Sequence, residues 1–368
     1  MAEKRSDKTT ITDVARHAGV STATAGRVLG GYGYTSAENK EKVRLAAQAL
    51  GYRANQLARS LITGKTRTIG VVAGDIQSPF YASVLRGIAD VARAQGFGVL
   101  LTNSDERLER EIEAVQLLLE KQIDGLIVAP CDTSGARHLH DAAASGCPIV
   151  QIDRRVAGLA ADSVTLDNRH AARDSIGRLI AAGHRRIGMI AELERFEFGD
   201  MEAFVDGVVA GSIDPETLFP SWQRLFGYIE AHIVHGISID RSLIGRAGTY
   251  SGSAARAATM KLLQRADRPT ALFTADGLMS AVAMDAITSL DLSLPDALSL
   301  ICFDDLDWMR FLKPGITAIA QPLTEMGEAA ARLILSRIGG EGSAEQHHVL
   351  THTLALRGSV SAPQAIDA

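Results

Sequence analysis

Short apolar runs in this sequence end, one after another, in residues that can hold a small polar molecule. The run Thr68–Ala73 is followed by Asp75 and then by Gln77-Ser78-Pro79-Phe80-Tyr81. Later runs end in Asp153-Arg154, Asp167-Asn168, Asp276 and Phe303-Asp304-Asp305, and Gln321 follows the run Thr317–Ala320. Carboxylates accept hydroxyl hydrogens, an arginine donates a planar fork, and aromatic faces cover the C–H face of a sugar ring. Asp75, Gln77, Phe80, Tyr81, Asp153, Arg154, Asp276, Asp304 and Gln321 are therefore candidate binding residues for a polyhydroxylated ligand.

Covalent chemistry is hard to find. There is no H-E-x-x-H, no G-x-S-x-G and no G-x-G-x-x-G after a strand. His138 with His140, and His232 with His235, lack a Cys or carboxylate at familiar ligand spacing and read as solvated helix faces. Asp304, Asp305 and Asp307 read better as hydroxyl recognition with local capping than as a metal cluster, and Cys302 as a buried strand residue. The GKT at 64–66 is no phosphate loop, because Arg59 stands where its first glycine belongs. The expectation is a binding protein, not an enzyme, with no metal and no cofactor.

Positioning those strand ends requires parallel sheets. Strands are expected at Thr68–Ala73, Gly98–Thr102, Gly125–Ala129, Pro148–Ile152, Val164–Leu166, Ile187–Ile190, Ser242–Ala247, Thr270–Thr274, Leu298–Phe303, Thr317–Ala320 and Val349–Leu356. Helical patterns such as Ser83–Gln95, Leu108–Lys121, His170–Ala182 and Gly252–Gln264 lie between them. Continuous apolar strands alternating with amphipathic helices imply parallel sheets covered on both faces. So many strands exceed one doubly wound domain, which predicts two doubly wound lobes. Ligands bind outside the carboxyl ends of such strands, here facing across a cleft.

The N-terminus has a different character. The net charge of −5 conceals an asymmetry: residues 1–68 carry 12 Lys and Arg against five acids, leaving −12 on the other 300 residues. A basic head on an acidic body points to nucleic acid. Thr10 with Asp13 three residues later is a capping-box variant, Ile11, Val14, Ala15 and Ala18 recur at helical spacing, and Gly19 ends the helix. Ser21 caps a second helix, Thr22–Leu29, with Ala25, Val28 and Leu29 inward; a third, about Ala37–Leu50, follows Thr35 or Ser36 and ends at Gly51. This is a helix-turn-helix pattern, whose second helix enters the major groove. Thr22, Ala23 and Thr24 become the candidate base readers and Arg27 a base or phosphate contact, with Thr10 and Ser21 at the helix starts. Threonine and alanine offer mainly methyls and single hydroxyls, so direct readout is thin.

TITDVARHAGVSTATAGRVLGG, then NKEKVRLAAQALGYRANQLARSLITGKTRTIGVV, resembles the head and linker of the LacI/GalR family of bacterial transcription regulators. Two positions depart from that family's pattern: Gly26 replaces the usual Ser and Ala54 the usual Pro. Gly26 weakens the second helix by up to about 1 kcal/mol relative to Ala, or permits a closer backbone approach. The resemblance implies that 55–62 (NQLARSLI) folds on DNA, with two copies inserting Leu61 into the minor groove, Ala58 allowing their approach and Asn55 flanking them. An apolar wedge of that kind kinks the duplex. The body is similar to periplasmic sugar-binding proteins, which implies a ring-stacking pair at Phe80 and Tyr81, a hydroxyl clamp at Asp153 and Arg154, and ligand contacts at Asp304 and at Asp276, where Asn is usual. Gln321 matches the family's hinge glutamine. Asp200, before Phe204, stands where an Arg is usual. That exchange disfavours a phosphorylated or carboxylate effector and favours a neutral sugar, a polyol or a ligand bearing an amine; Asp200 reads equally as an ordinary surface acid.

The implied layout is an all-α helix-turn-helix head over 1–54, a hinge helix over 55–66 and a two-lobed α/β body over 67–358. Lobe one covers about 67–166 and 322–340, lobe two about 167–321 and 341–358, and 359–368 form a tail. At 46% apolar residues the 368-residue chain can bury large cores, and at about 150 residues per domain it has room for two or three. No apolar run approaches the roughly 18 residues of a membrane helix, no secretory signal opens the chain, and three scattered cysteines suit a reducing compartment. The expectation is a cytoplasmic repressor that binds near-palindromic operator DNA as a homodimer and is released by its ligand. No leucine-heptad tail follows His348, which favours a dimer over a tetramer. The alternative is a stand-alone sugar-binding protein or sugar-modifying enzyme of the same body fold, and an RNA-binding or protein-docking head is a third reading.

Overall fold

The computed structural model describes residues 9–52, 64–193, 200–342 and 344–364. Contacts divide the chain into an N-terminal head and a body that begins at Ile69. The hinge residues Asn55, Ala58 and Leu61 lie outside the described residues.

The head has three helices, α1 (Ile11–Ala18), α2 (Thr22–Gly30) and α3 (Ala37–Ala49). Thr10 caps α1 in a complete capping box: its hydroxyl faces the Asp13 amide, and the Asp13 carboxylate accepts the Thr10 N–H at 3.0 Å. Gly19 ends α1 in the left-handed conformation at φ 66°, which lets the Val20 N–H reach the Ala15 carbonyl. Ser21 then caps α2 on the Thr24 N–H, and Ser36 caps α3 on the Asn39 N–H. Val14, Ala15, Ala25, Val43, Ala46 and Ala47 form the small core between the helices. Gly26 has room for a side-chain methyl, whereas Gly30 does not. Tyr32 folds back over α2, so a Cβ at Gly26 would lie 3.4 Å from its hydroxyl, and one at Gly30 would meet its ring at 2.3 Å.

The body contains two six-stranded sheets. The first half supplies β1 (Thr68–Ala73), α4 (Pro79–Ala94), β2 (Gly98–Asn103), α5 (Leu108–Glu120), β3 (Gly125–Val128), α6 (Arg137–Ala144), β4 (Ile149–Ile152) and β5 (Asp162–Leu166). The second supplies α7 (Asn168–Ala181), β6 (Ile187–Ala191), α8 (Met201–Val209), α9 (Pro220–Val234), β7 (Ile244–Arg246), α10 (Gly252–Leu263), β8 (Ala271–Thr274), α11 (Gly277–Ser289), β9 (Ser299–Phe303) and β10 (Thr317–Ala320). The chain then returns through α12 (Leu323–Ile338), β11 (His347–Leu350) and β12 (Thr353–Ala355). Sheet one runs β11-β5-β4-β3-β1-β2 and sheet two β12-β10-β9-β8-β6-β7. Ladders β1/β3, β3/β4, β4/β5 and β6/β8, β8/β9, β9/β10 are all parallel, and β12 joins β10 antiparallel. Both orders reverse beside the first strand of the lobe, between β1 and β3 and between β6 and β8. Those are the switch points at which doubly wound sheets bind ligands. Central strands such as β3 and β8 are wholly buried, which is why their sequences GLIV and ALFT carry no alternation.

The return segment differs from the expectation at two places. Residues 341–358 were assigned above to lobe two and Val349–Leu356 to one strand, whereas β11 pairs in parallel with β5 of sheet one. The Asp162 carboxylate takes the Gln346 N–H at 2.8 Å and the Arg337 guanidinium at 2.7 and 2.8 Å, and so fastens this stretch to lobe one. The chain changes lobes only at Thr351 and His352, and β12 continues in sheet two. Nor do residues 359–361 form a free tail. Ser359 is buried, accepting the Thr317 N–H at 2.8 Å and donating to the Leu300 carbonyl at 2.6 Å, and the Ser361 carbonyl bonds the His184 ring at 2.9 Å.

Each lobe packs one helix pair through glycine. A Cβ on Gly327 of α12 would sit 2.0 Å from the Val84 carbonyl of α4, and one on Gly227 of α9 would sit 2.1 Å from the Arg169 carbonyl of α7. Gly327→Ala would gain helix propensity of up to about 1 kcal/mol, but the backbone it strikes has no rotamer to move, so packing decides the sign. Net destabilisation of about 1–3 kcal/mol is expected by urea denaturation, against a near-neutral Gly135→Ala, where the added methyl meets open space.

Candidate functional site

In the head, the exposed edge of α2 presents Thr22, Ala23 and Arg27, while Ala25 faces the core. Thr24 is half-buried and its hydroxyl lies 2.9 Å from that of Ser21, so both serve the helix start. Thr10 likewise acts through the capping box of α1. Thr22 and Ala23 exposed on the first turn of α2, with Arg27 exposed on the next, suit groove and phosphate contacts.

In the body, a cavity of about 110 Å³ lies where the carboxyl ends of both sheets meet. Lobe one contributes Ser78, Phe80 and Tyr81 from the start of α4, Glu106 after β2, Cys131 after β3, and Asp153 and Arg154 after β4. Lobe two contributes Glu192 after β6, Phe219, Ser221, Trp222 and Arg224 from the start of α9, Tyr250 after β7, Asp276 after β8 and Asp304 after β9. Gln321 lies at the crossing from β10 to α12.

Arg154 organises the first wall. Its guanidinium gives two bonds to Glu106, at 2.6 and 2.8 Å, one to Asp153 at 3.0 Å and one to the Pro130 carbonyl at 3.1 Å, and it lies 4.2 Å above the Phe219 ring. Tyr81 donates its hydroxyl to Glu106 at 3.1 Å. Gly74 makes room for this arrangement, because a Cβ there would lie 2.0 Å from the Glu106 carboxylate. Burial opposes the charge on Arg154, but Glu106, Tyr81 and Asp153 outweigh it and hold the group protonated.

Arg224 plays the matching part in lobe two. It donates to the Asn168 side chain at 2.9 Å and to the Ala275 carbonyl, and its guanidinium lies 3.7 Å above the Phe303 ring. Asp304 bonds the Gln321 amide and the Gly277 N–H. Asp153 and Asp304 close β4 and β9 in the left-handed region, at φ 67° and 70°, which aspartate tolerates better than most residues. Asp276 caps α11 through Oδ1 on the Met279 N–H at 2.9 Å. Its Oδ2 and the Oε1 of Gln321 are buried and find no hydrogen-bond partner among the described residues. Burial, then the Asp276 charge, pushes the Glu192 carboxyl up to about 7, against the Ser221 hydroxyl at 2.9 Å. Burial likewise lifts Asp276 to about 6, and Asp304 is raised for the same reason.

Of the sequence candidates, Phe80, Tyr81, Asp153, Arg154, Asp276, Asp304 and Gln321 meet in this cavity. Asp75 and Gln77 do not line it. The Asp75 carboxylate accepts the Gln77 N–H at 2.9 Å in a turn that starts α4, and Gln77 is exposed. Asp200 is also away from it: it is an exposed cap of α8, bonding the Ala203 N–H at 2.8 Å, so it bears on no ligand charge. Two of the four histidines differ from the solvated faces expected of them, while His140 and His235 are exposed. His232 is buried in α9 against the Tyr228 ring, and His138 reaches the buried Glu111 at 2.6 Å. Glu106, Glu192 and Tyr250 were missed although they obey the same strand-end rule. Phe219, Ser221, Trp222 and Arg224 sit on a helix start, where that rule is silent.

Glu192 carries a stability signature. A carboxyl raised from 4.5 to about 7 favours the fold at low pH, and that contribution is lost as pH rises through the folded value. Relative to Glu192→Gln, the wild type should lose roughly 2 kcal/mol of unfolding free energy between about pH 4.5 and 7.5, read by urea titrations at each pH. A pH-independent difference would show that Glu192 is already ionised.

Residues 10–55 match the bacterial regulatory proteins of the lacI family, and residues 176–360 match a periplasmic binding protein-like domain. The catabolite control protein A of Priestia megaterium is 31% identical over 350 residues, 95% of this chain and 98% of that one. The HTH-type transcriptional repressor CytR of Escherichia coli K12 is 31% identical over 365 residues, 98% and 99% of the two chains. The fold is shared with the crystal structure of the lac repressor dimer bound to operator and the anti-inducer ONPF, at TM-score 0.79 and 24% identity over 97% of this chain and 100% of that one. Such full-length relatives are regulators, which sets aside the stand-alone sugar-binding protein. With a helix-turn-helix head and a two-lobed α/β body built as described, the chain belongs to the LacI family of bacterial transcription regulators.

Proposed function

We propose that this regulator binds a near-palindromic operator as a homodimer in the cytoplasm, and that a hydroxylated small molecule in the body cleft lowers its operator affinity. The observation that carries the reading is a pair of acceptors without a donor among the described residues, Asp276 Oδ2 and Gln321 Oε1, buried in a cavity at the switch points of two facing sheets. A ligand hydroxyl supplies the missing donor, and Phe80, Tyr81 and Trp222 supply flat apolar faces for a ring. Thr22, Ala23, Thr24 and Arg27 read or position the duplex, while Asn55, Ala58 and Leu61 act in the hinge segment, Leu61 as the minor-groove wedge. The second copy is expected on the open edge of sheet one, where Leu100 and Leu101 of β2 and Ile112 and Leu117 of α5 are each 41–46% exposed. Closing the two lobes on a ligand changes the spacing of paired hinge segments, and with it their ability to wedge. Among the described residues no helix is long and apolar enough to cross a membrane.

Selection from random duplexes is the test. It should return a two-half-site sequence whose affinity falls by on the order of 10³–10⁵ between 50 and 200 mM salt, as expected of a protein neutralising several phosphates. Leu61→Ala should reduce affinity and abolish duplex bending in a circular-permutation gel assay. Equal binding to every duplex and to heparin would overturn the proposal.

A further inference from the structure

Among the described residues the cleft holds more acid than its cations neutralise. Glu106 and Asp153 are matched by Arg154, which spends its guanidinium on them. The second wall is different. Arg224 gives its bonds to an amide and a carbonyl, so Glu192, Asp276 and Asp304 line the cavity with no ion pair among the described residues. Asp276 is 8% exposed, and its Oδ2 is one of two acceptors in that wall that find no donor among the described residues. The other, Gln321 Oε1, belongs to the side chain that bonds Asp304. A hydroxyl donates one hydrogen and leaves the charge uncompensated. An ammonium donates three and carries the opposite charge.

We propose that the ligand is a hydroxylated molecule bearing a protonated amine, an amino sugar or amino polyol, whose ammonium sits between Asp276 and Gln321 Oε1 with Glu192 alongside. The inference rests on the hydroxylated-ligand reading above and narrows it. Glu192 faces Asp276 from β8, Ser221 and Arg224 from α9, and Arg154 from β4. Asp276 faces Arg224, the Asp304 carboxylate and the amides of Leu278 and Met279, and its charge also bears on Tyr250. With Glu192 pushed up to about 7 and Asp276 to about 6, an arriving cation meets partly protonated acids and releases their protons. Its affinity therefore rises with pH through that range. A ligand that uses those protons as donors shows the reverse.

The test is calorimetric titration of the full chain with matched pairs at pH 7: glucose and glucosamine, galactose and galactosamine, sorbitol and 1-amino-1-deoxysorbitol. In at least one pair the amine should bind at least about tenfold more tightly, and its affinity should rise about tenfold from pH 5 to pH 7. Asp276→Asn, which keeps the cap on α11, should reduce the amine's advantage to roughly threefold or less; Glu192→Gln serves as a second variant should the first lose its melting transition. A neutral member binding as tightly as its amine in every pair that binds, or an amine affinity that falls from pH 5 to pH 7, overturns the amine and leaves the hydroxylated ligand standing. Binding of no member by a folded chain overturns both.

Discussion

Each lobe is held at its working end by one buried guanidinium, and the rest of the cleft follows from that constraint. Arg154 ties together the connections after β2, β3 and β4 and the start of α4. Arg224 ties α7 to the connection after β8 and covers the ring that ends β9. A guanidinium cannot shed its charge as a lysine can, so once buried it must be surrounded by acceptors in fixed geometry. That requirement places Glu106 and Asp153, sets the Glu106 carboxylate and the Tyr81 hydroxyl against Gly74, and leaves the two walls chemically unequal among the described residues. One is electrically settled before any ligand arrives. The other is not.

This inequality gives the body a reason to respond to a ligand. On the function proposed above, a wall whose described residues keep raised carboxyl groups and unpartnered acceptors is stabilised when a donor enters, and a ring on that ligand would face Phe80 and Tyr81 of the opposite lobe. Arg154 already reaches across to Phe219, so the lobes meet through a cation–ring contact that a ligand can extend. Three chain crossings, at β5–α7, β10–α12 and β11–β12, connect the lobes. Short connections of this kind allow a hinge while both sheets stay rigid.

Much of this was legible in the sequence because strand ends and helix caps carry local signals. Thr10 with Asp13, Ser21 and Ser36 announce the three head helices, and uninterrupted apolar runs announce parallel strands. The strand-end rule found Asp153, Arg154, Asp276 and Asp304, and wider use of it would have found Glu106, Glu192 and Tyr250. Other features left no such trace. Thr351-His352 has neither Gly nor Pro, so the switch of sheets inside 347–355 reads as one strand. Arg224 and Trp222 reach the cavity from a helix buried on nearly every side, which is also why His232 is a core residue. Asp75 and Asp200 have the right type at the right place in the chain, but each spends its carboxylate on a nearby backbone N–H.

The proposed function requires one free energy to link the cleft to the operator. The direct measurement is reciprocal: operator affinity by fluorescence anisotropy with and without the tightest-binding sugar or amine, and the affinity for that molecule with and without operator. Each partner is expected to weaken the other by the same factor, about 5–150-fold. A molecule that saturates the cleft while operator affinity stays unchanged would contradict it.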